Sequence, residues 1–219
     1  MTTSQPAPFA GNLADSRDMY GVMRFIVKKI MQQTDDMLPA RVISYDRAAN
    51  RAKVQPLVSI ISTGNQRINR APVASVPVLQ LGGGGFVLSF PIQAGDLGWI
   101  KANDADISSF LDVYGIASPT TQRSKTFEDA LFIPDQMLRN VTINAEDENA
   151  VVLQSIDGSV KISLAPNKLT IKAPEVKIDT PLLTISDGTG VVNIAGINFL
   201  THRHRDVQAG SGNSGYPIA

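Results

Sequence analysis

The two histidines of this protein, His202 and His204, are spaced for metal binding. They follow a region of regular apolar and polar alternation, and in a strand residues i and i+2 point to the same side. One chain therefore supplies half of a tetrahedral site, whereas three chains on a threefold axis supply six nitrogens, an octahedral set. Zinc prefers four ligands and calcium prefers oxygen, so the pattern favours iron(II) or another octahedral first-row ion. The alternative is a pair of surface histidines near a chain end.

Other catalytic chemistry has little support in the sequence. The 219 residues include no cysteine, which excludes disulfides, thiolate metal sites and a thiol nucleophile. Four glycines at 82–85 lack the Lys-Ser/Thr of a phosphate-binding loop and predict a loop or hairpin instead. Asp104 and Asp106 form a carboxylate pair with no sign of a raised pKa. We therefore expect no enzymatic activity.

The charge balance argues against nucleic acid as a partner. Twenty basic and twenty acidic side chains give a formal net charge of zero, whereas phosphate neutralisation needs a basic surface. Residues 41–118 carry seven basic and five acidic residues, a weak surplus for a phosphate groove. Phe86, Phe90 and Trp99 are interpreted as core side chains of strands rather than as stacking platforms for bases.

Residues 15–37 have the apolar spacing of an amphipathic helix. Asp15 or Ser16 is the expected N-cap, and Pro39 the expected stop. The helix either lies on its own domain or docks onto a partner through a methionine-rich, adaptable surface. Before it, the first residues lack the basic start and apolar run of a signal peptide, so we expect a chain made in, and soluble in, the cytosol.

The pattern of residues 41–116 predicts about five short strands separated by turns that contain glycine, proline and asparagine. The segments RVISYD and RAKVQPLVSII form an apparent hairpin, and three further runs follow. Their size and spacing predict a small antiparallel barrel of the oligonucleotide/oligosaccharide-binding (OB) type. After it, residues 117–149 are interpreted as a connector that contains one strand-like piece, ALFIP.

From Val151 onward, short runs alternate strictly between apolar and polar residues. Successive isoleucines recur at intervals of nine, seven, seven and nine residues, and only 6% of the chain is aromatic. Such short strands cannot offset an ordering entropy of roughly 1–2 kcal/mol per residue unless they stack on something. We favour three chains wrapped about one axis, with polar residues facing out, over a single-chain β-solenoid.

The predicted architecture is mainly β, with a helix, an OB-fold barrel, an intertwined trimeric β-helix and a metal-capped apex. Its divisions are an N-terminal arm and helix (1–38), the barrel (39–116), the connector (117–149), the shaft (150–200) and the apex (201–219).

Three stretches resemble the central spike, or cell-puncturing, proteins of contractile-tailed bacteriophage baseplates. Residues 77–111, with their glycine run and Gly-Asp turn, resemble the OB domain of that family, and residues 123–137 resemble its link to the shaft. Residues 201–219, with His-x-His followed by Val-Gln-x-Gly, resemble its metal-capped apex. The resemblance implies a homotrimer at the baseplate tip of the virion, assembled in the host cytoplasm.

The same resemblance implies one octahedral Fe²⁺ per trimer, held by His202 and His204 of three chains. It also implies attachment to tail hub or baseplate proteins through the N-terminal part, and transient contact with the host outer membrane, which the spike pierces as the sheath contracts. The alternative is a trimeric tail-tip adhesin that binds a host receptor. An adhesin should present exposed aromatic side chains or varied loops for recognition.

Overall fold

The computed structural model describes residues 18–61, 66–137, 141, 143–183, 193–194 and 197–198. The chain divides into two units, Met1–Val141 and Thr142–Ala219, and each is described on its own. Neither helix in the described ranges has the length and apolar character needed to cross a membrane.

The described part of the first unit contains two helices and nine strands. In chain order they are α1 (Met19–Gln33), β1 (Met37–Asp46), β2 (Arg51–Pro56), β3 (Ile60–Ile61), β4 (Arg67–Ile68), β5 (Val73–Pro77), β6 (Leu81–Gly83), β7 (Phe86–Leu88), β8 (Leu97–Asn103), α2 (Ser108–Val113) and β9 (Thr126–Pro134).

Five of these strands form an antiparallel sheet in the order β5-β2-β1-β8-β9. The two edge strands approach each other where Leu79 N donates to Phe132 O at 2.8 Å and Val78 bridges to Phe132. The sheet is therefore nearly closed and barrel-like, as the turn spacing predicted. The segment ALFIP lies within β9, so part of the stretch interpreted as connector is a strand of this sheet.

Small and branched side chains fill the barrel because alternate residues of each strand point inward. Its core contains only two aromatic residues, Phe127 and Phe132. The buried members are Ala40, Val42, Ala52, Val54, Val76, Val78, Ile100, Ala102, Phe127, Ala130 and Phe132.

Close approach of two strands explains the glycine in β8. A Cβ at Gly98 would clash with the carbonyl oxygen of Ile133 and would lie 2.5 Å from Phe132 Cζ. Only glycine lets β8 and β9 pair at this point of the barrel.

Helix α1 is shorter than its sequence pattern predicted. It begins after Asp18, whose carboxylate accepts a 2.6 Å hydrogen bond from Gly21 N, so neither Asp15 nor Ser16 is the cap. It ends at Gln33, and Pro39 lies inside β1 opposite Trp99 instead of stopping the helix. The prediction failed because Asp35 N donates to the carbonyl of Lys125, so pairing with the barrel starts before the apolar pattern ends.

The described part of the second unit consists of a short 3-10 turn and five strands. They are the turn Ala145–Asp147, then β10 (Val151–Gln154), β11 (Lys161–Ala165), β12 (Lys168–Lys172), β13 (Asn193–Ile194) and β14 (Ile197–Asn198). The strands β10, β11 and β12 form an antiparallel sheet, and β13 pairs with β14. Residues 175–180, predicted as a strand, have no strand partner within the described ranges.

Candidate functional site

One face of the three-stranded sheet in the second unit is made entirely of aliphatic side chains. Antiparallel pairing sets them directly opposite one another across the strands, as with Leu153 and Ile162 or Leu164 and Leu169. Each is between 43% and 73% exposed. We call this surface the apolar sheet face; its members are Val151, Leu153, Ile162, Leu164, Leu169 and Ile171.

The opposite face of the same sheet carries mainly polar side chains, and its centre on β11 is buried. Lys161 is 1% exposed, Ser163 3% and Asp147, from the 3-10 turn, 4%. The Lys161 ammonium donates to the Asp147 carboxylate and, at 2.5 Å, to Glu146 Oε1. Ser163 Oγ donates to Asp147 Oδ1 at 2.6 Å. Lys161 and Ser163 are therefore covered by the 3-10 turn within one chain and do not reach solvent directly.

Hydrogen bonding keeps this buried cluster charged. The hydrogen bond from Lys161, followed by that from Ser163, lowers the pKa of the Asp147 carboxyl below its ordinary value. Reciprocally, the hydrogen bonds to Asp147 and then Glu146 raise the pKa of the Lys161 ammonium. The charges satisfy each other within one chain, so the polar face needs no partner. The apolar sheet face, by contrast, is left uncovered by the residues that the structure describes.

A tight turn sets the register that gathers the aliphatic residues on one face. The Asp157 carboxylate accepts hydrogen bonds from Ser155 Oγ at 2.6 Å and from Ser159 N and Oγ at 3.1 and 2.9 Å. Gly158 adopts a φ of 68°, a conformation that suits glycine. The hydrogen bonds from Ser155 and then Ser159 lower the pKa of Asp157 to about 2. A one-residue slip here would move all the aliphatic side chains of β11 to the other face.

The carboxylates singled out in the barrel do not form an acid–base pair. The side chain of Asp106 is fully buried and accepts hydrogen bonds from Ser108, Thr120 and Thr121. These bonds, with Ser108 the largest contributor, hold the pKa of Asp106 well below its usual range. Asp104 is exposed and lies 3.9 Å from Lys125. Asp106 therefore anchors the loop after β8, and Asp104 does not share its environment.

The glycine run forms the hairpin between β6 and β7, and the sequence analysis predicted a loop or hairpin here. Gly84 and Gly85 take positive φ values of 59° and 85° at its tip. The interpretation of the neighbouring aromatics as core is wrong, because Phe86 is 84% and Phe90 43% exposed. Trp99 is half-buried, and its Nε1 donates to Asp135 Oδ2 at 2.7 Å. The alternation that suggested a core position runs through a hairpin that the barrel does not cover.

The predicted metal ligands, His202 and His204, lie outside the described residues. Within the described ranges, no three His, Cys, Asp or Glu side chains come together as a metal site. The iron site and the trimer therefore stay predictions from the sequence.

The cluster of Lys161, Ser163 and Asp147 was not foreseen as buried. Lys161 and Ser163 are the polar members of an alternating strand, a position that usually faces solvent. One feature of the sequence could have indicated this burial: the adjacent acidic residues Glu146 and Asp147 provide the carboxylates that a buried lysine needs.

Comparison with protein families locates a relative of the barrel. Residues 38–135 match the family described as "Phage protein Gp138 N-terminal domain". The Gp138-like segment starts within β1 and ends just after β9, so it spans the barrel sheet and less than half of the chain. The match supports a phage structural protein and, with it, a virion component. No curated protein matches the chain.

Proposed function

We propose that this protein is the homotrimeric central spike at the tip of a contractile phage tail baseplate, and that it pierces the host outer membrane during sheath contraction. The observation that carries the proposal is the apolar sheet face. Soluble monomers rarely expose contiguous apolar patches larger than a few hundred Å². A surface of six aligned aliphatic side chains therefore belongs against a partner.

A second copy of the chain is the partner that fits this face best. The face carries no charged side chain, so it meets an identical face without an unpaired charge. Three such faces around a threefold axis would enclose a narrow core of valine, leucine and isoleucine. The satisfied polar cluster around Lys161 would then form the outer wall of the shaft.

The segment after β12 supports intertwining of the chains. Residues 175–180 keep the alternation of a strand, and Val176 and Ile178 are 54% and 62% exposed. Within the described ranges this segment has no strand partner. In a three-chain β-helix, its backbone would pair with neighbouring chains, which also leaves few free strand edges.

The proposed apex holds one Fe²⁺ between His202 and His204 of three chains. Six imidazole nitrogens suit an octahedral first-row ion, and histidine is among its preferred ligands. The ion would supply cross-linking of three chain ends rather than reactivity, because metal binding by a folded site stabilises that fold.

The match to a phage protein domain supports the part of this proposal that makes the protein a structural component of a phage. The barrel unit would attach the spike to tail hub or baseplate proteins, and the shaft would transmit axial force. Contact with the outer membrane would be transient, since passage is driven mechanically. No enzymatic step and no nucleic acid is part of the proposed role.

A trimeric tail-tip adhesin is the second candidate. The hairpin of β6 and β7 favours it, since Phe86 and Val87 are 84% and 62% exposed and available for recognition. Specific binding on a glycan or receptor array, lost in a Phe86→Ser variant, would favour the adhesin. Retention of array binding in that variant, or no binding by the parent, would leave the spike as the better account.

Mass in solution and elemental analysis of the same sample test the spike proposal. We expect a particle three times the 23.5 kDa chain mass, with one transition-metal ion per three chains. The double variant His202→Ala with His204→Ala should lose the metal. A monomeric parent would overturn the trimer, and one ion per chain would overturn the shared apex.

A further inference from the structure

Helix α1 leaves its apolar side uncovered in the first unit. The exposed fractions are 81% for Met19, 61% for Met23, 49% for Ile26 and 57% for Ile30. A helix lying on its own domain would bury these side chains, so the structure removes that alternative for the described residues. The remaining question is which surface covers the helix.

The spacing of these four residues matches a coiled-coil seam. Intervals of four, three and four residues place them at successive d, a, d and a positions of a heptad. Isoleucine occurs at one a and one d position, a choice associated with more than two strands. Lys28 falls on the opposite side of the helix, so the seam is free of charge.

The C-terminal end of the helix is fixed to the barrel. Asp35 N donates to Lys125 O at 2.8 Å, and Arg70 Nη1 lies 2.5 Å from Asp35 Oδ1. Phe127 N also donates to the Asp35 carboxylate, at 3.2 Å. In a trimer these anchors would start three helices from equivalent points, which lowers the entropy that their association must overcome.

We infer that α1 is a second trimerisation element, in which three copies of the helix pack through Met19, Met23, Ile26 and Ile30 as a parallel bundle. The inference rests on the homotrimer of the proposed function. Nine large apolar side chains of α1 are at least 40% exposed. Phe25 and Met31 fall at outward c and b positions, so seven of these side chains form or flank the seam. At about 100 Å² for each half-exposed side chain, they offer about 700 Å² per chain, close to the ~800 Å² per partner of a standard interface.

Engineered cysteines test the bundle, because the native chain has none to interfere. Met23→Cys places a thiol on the seam of the full-length protein, and Lys28→Cys places one on the opposite side as a matched control. A disulfide requires Cα atoms within roughly 7 Å, which seam positions meet and outward positions do not. Mild oxidation should give a disulfide-linked dimer roughly tenfold more abundant for Met23→Cys than for Lys28→Cys. Equal cross-linking at the two positions would overturn the inference.

A combined variant separates this inference from the proposed function. Ile162→Glu places a charge on the apolar sheet face and leaves α1 unchanged. Cross-linking through Met23→Cys that survives Ile162→Glu would show that α1 associates by itself. A trimeric parent without preferential cross-linking would overturn the bundle and leave the shaft trimer intact. In that case, co-sedimentation with anionic vesicles or retention by purified baseplate proteins would identify a different occupant of the helix face.

Discussion

The apolar sheet face makes Ile162→Glu the most informative single substitution. Ile162 lies on the central strand β11, paired with Leu153 on one side and Ile171 on the other. It is 43% exposed in one chain, so a glutamate there can reach water in the monomer. In the proposed trimer, three glutamates would meet in the dry core. We therefore expect the substitution to dissociate the trimer while the isolated chain keeps its sheet.

The size of the effect follows from burial and charge. Burying the remaining surface of Ile162 contributes roughly 1 kcal/mol per chain, taking 1.5–3 kcal/mol for a fully buried aliphatic side chain. A buried carboxylate can avoid its desolvation by taking a proton, which at pH 7 costs about 3.7 kcal/mol for an ordinary glutamate pKa near 4.3. The substitution then lowers the free energy of trimer association by up to about 5 kcal/mol per chain, or about 15 kcal/mol per trimer. Because each 1.4 kcal/mol changes the dissociation constant by a factor of ten, this loss is enough to dissociate a trimer at micromolar protein concentration.

Sedimentation or light scattering at several concentrations measures the result, and circular dichroism checks the sheet. The matched control is Lys172→Glu, which also adds a carboxylate but on the polar side, because Lys172 pairs with Lys161. We expect the parent and the control to be trimers, and Ile162→Glu to dissociate towards the 23.5 kDa chain mass at concentrations at which both of them stay trimeric. Lower pH should restore the variant trimer, since protonation removes the charge. An Ile162→Glu trimer that resists dilution as well as the parent at neutral pH, or equal dissociation of the control, would refute the reasoning.

Two further substitutions test local features of each unit. Gly98→Ala should destabilise the barrel by about 2 kcal/mol in urea unfolding, because the added Cβ meets the Ile133 carbonyl; an unchanged midpoint would contradict the close approach. Asp157→Asn tests the turn before β11. The pKa of Asp157 is lowered from 3.8 to about 2 in the folded chain, so the ionised carboxylate stabilises the fold above pH 3.8. This stabilisation is lost as the pH falls towards 2. The variant should be less stable than the parent at neutral pH and should lose less stability over that acid window, and parallel stability curves would contradict this.

The barrel was predictable because its signals are local. Strict alternation in β2 and β8 buries Ala52, Val54, Ile100 and Ala102, and the Ala-Ala-Asn turn before Arg51 closes the first hairpin. Periodicity of two residues and turn residues at fixed places act within a few positions, so one sequence reveals them.

The errors occurred where distant contacts decide the outcome. Asp35 leaves the helical pattern because the backbone of Lys125 and the side chain of Arg70 bind it from far along the chain. Phe86 has the alternation of a core residue, yet among the described residues no neighbouring strand covers its hairpin. Lys161 is buried because Asp147 folds over the sheet. Periodicity reports which side chains share a face, and only the tertiary pairing decides which face meets solvent.

The three-stranded sheet leaves its apolar face exposed in one chain, and this affects how much of the newly made protein assembles correctly. A newly synthesised chain that folds this sheet presents six aliphatic side chains and, within its described ranges, the unpaired edges of β10 and β12. Such surfaces bind other exposed strands without selectivity and lead to aggregation. Raising the chain concentration speeds both correct association and mispairing. Soluble yield is therefore set by competition between the two encounters, and conditions that slow synthesis relative to trimer formation favour the assembled protein.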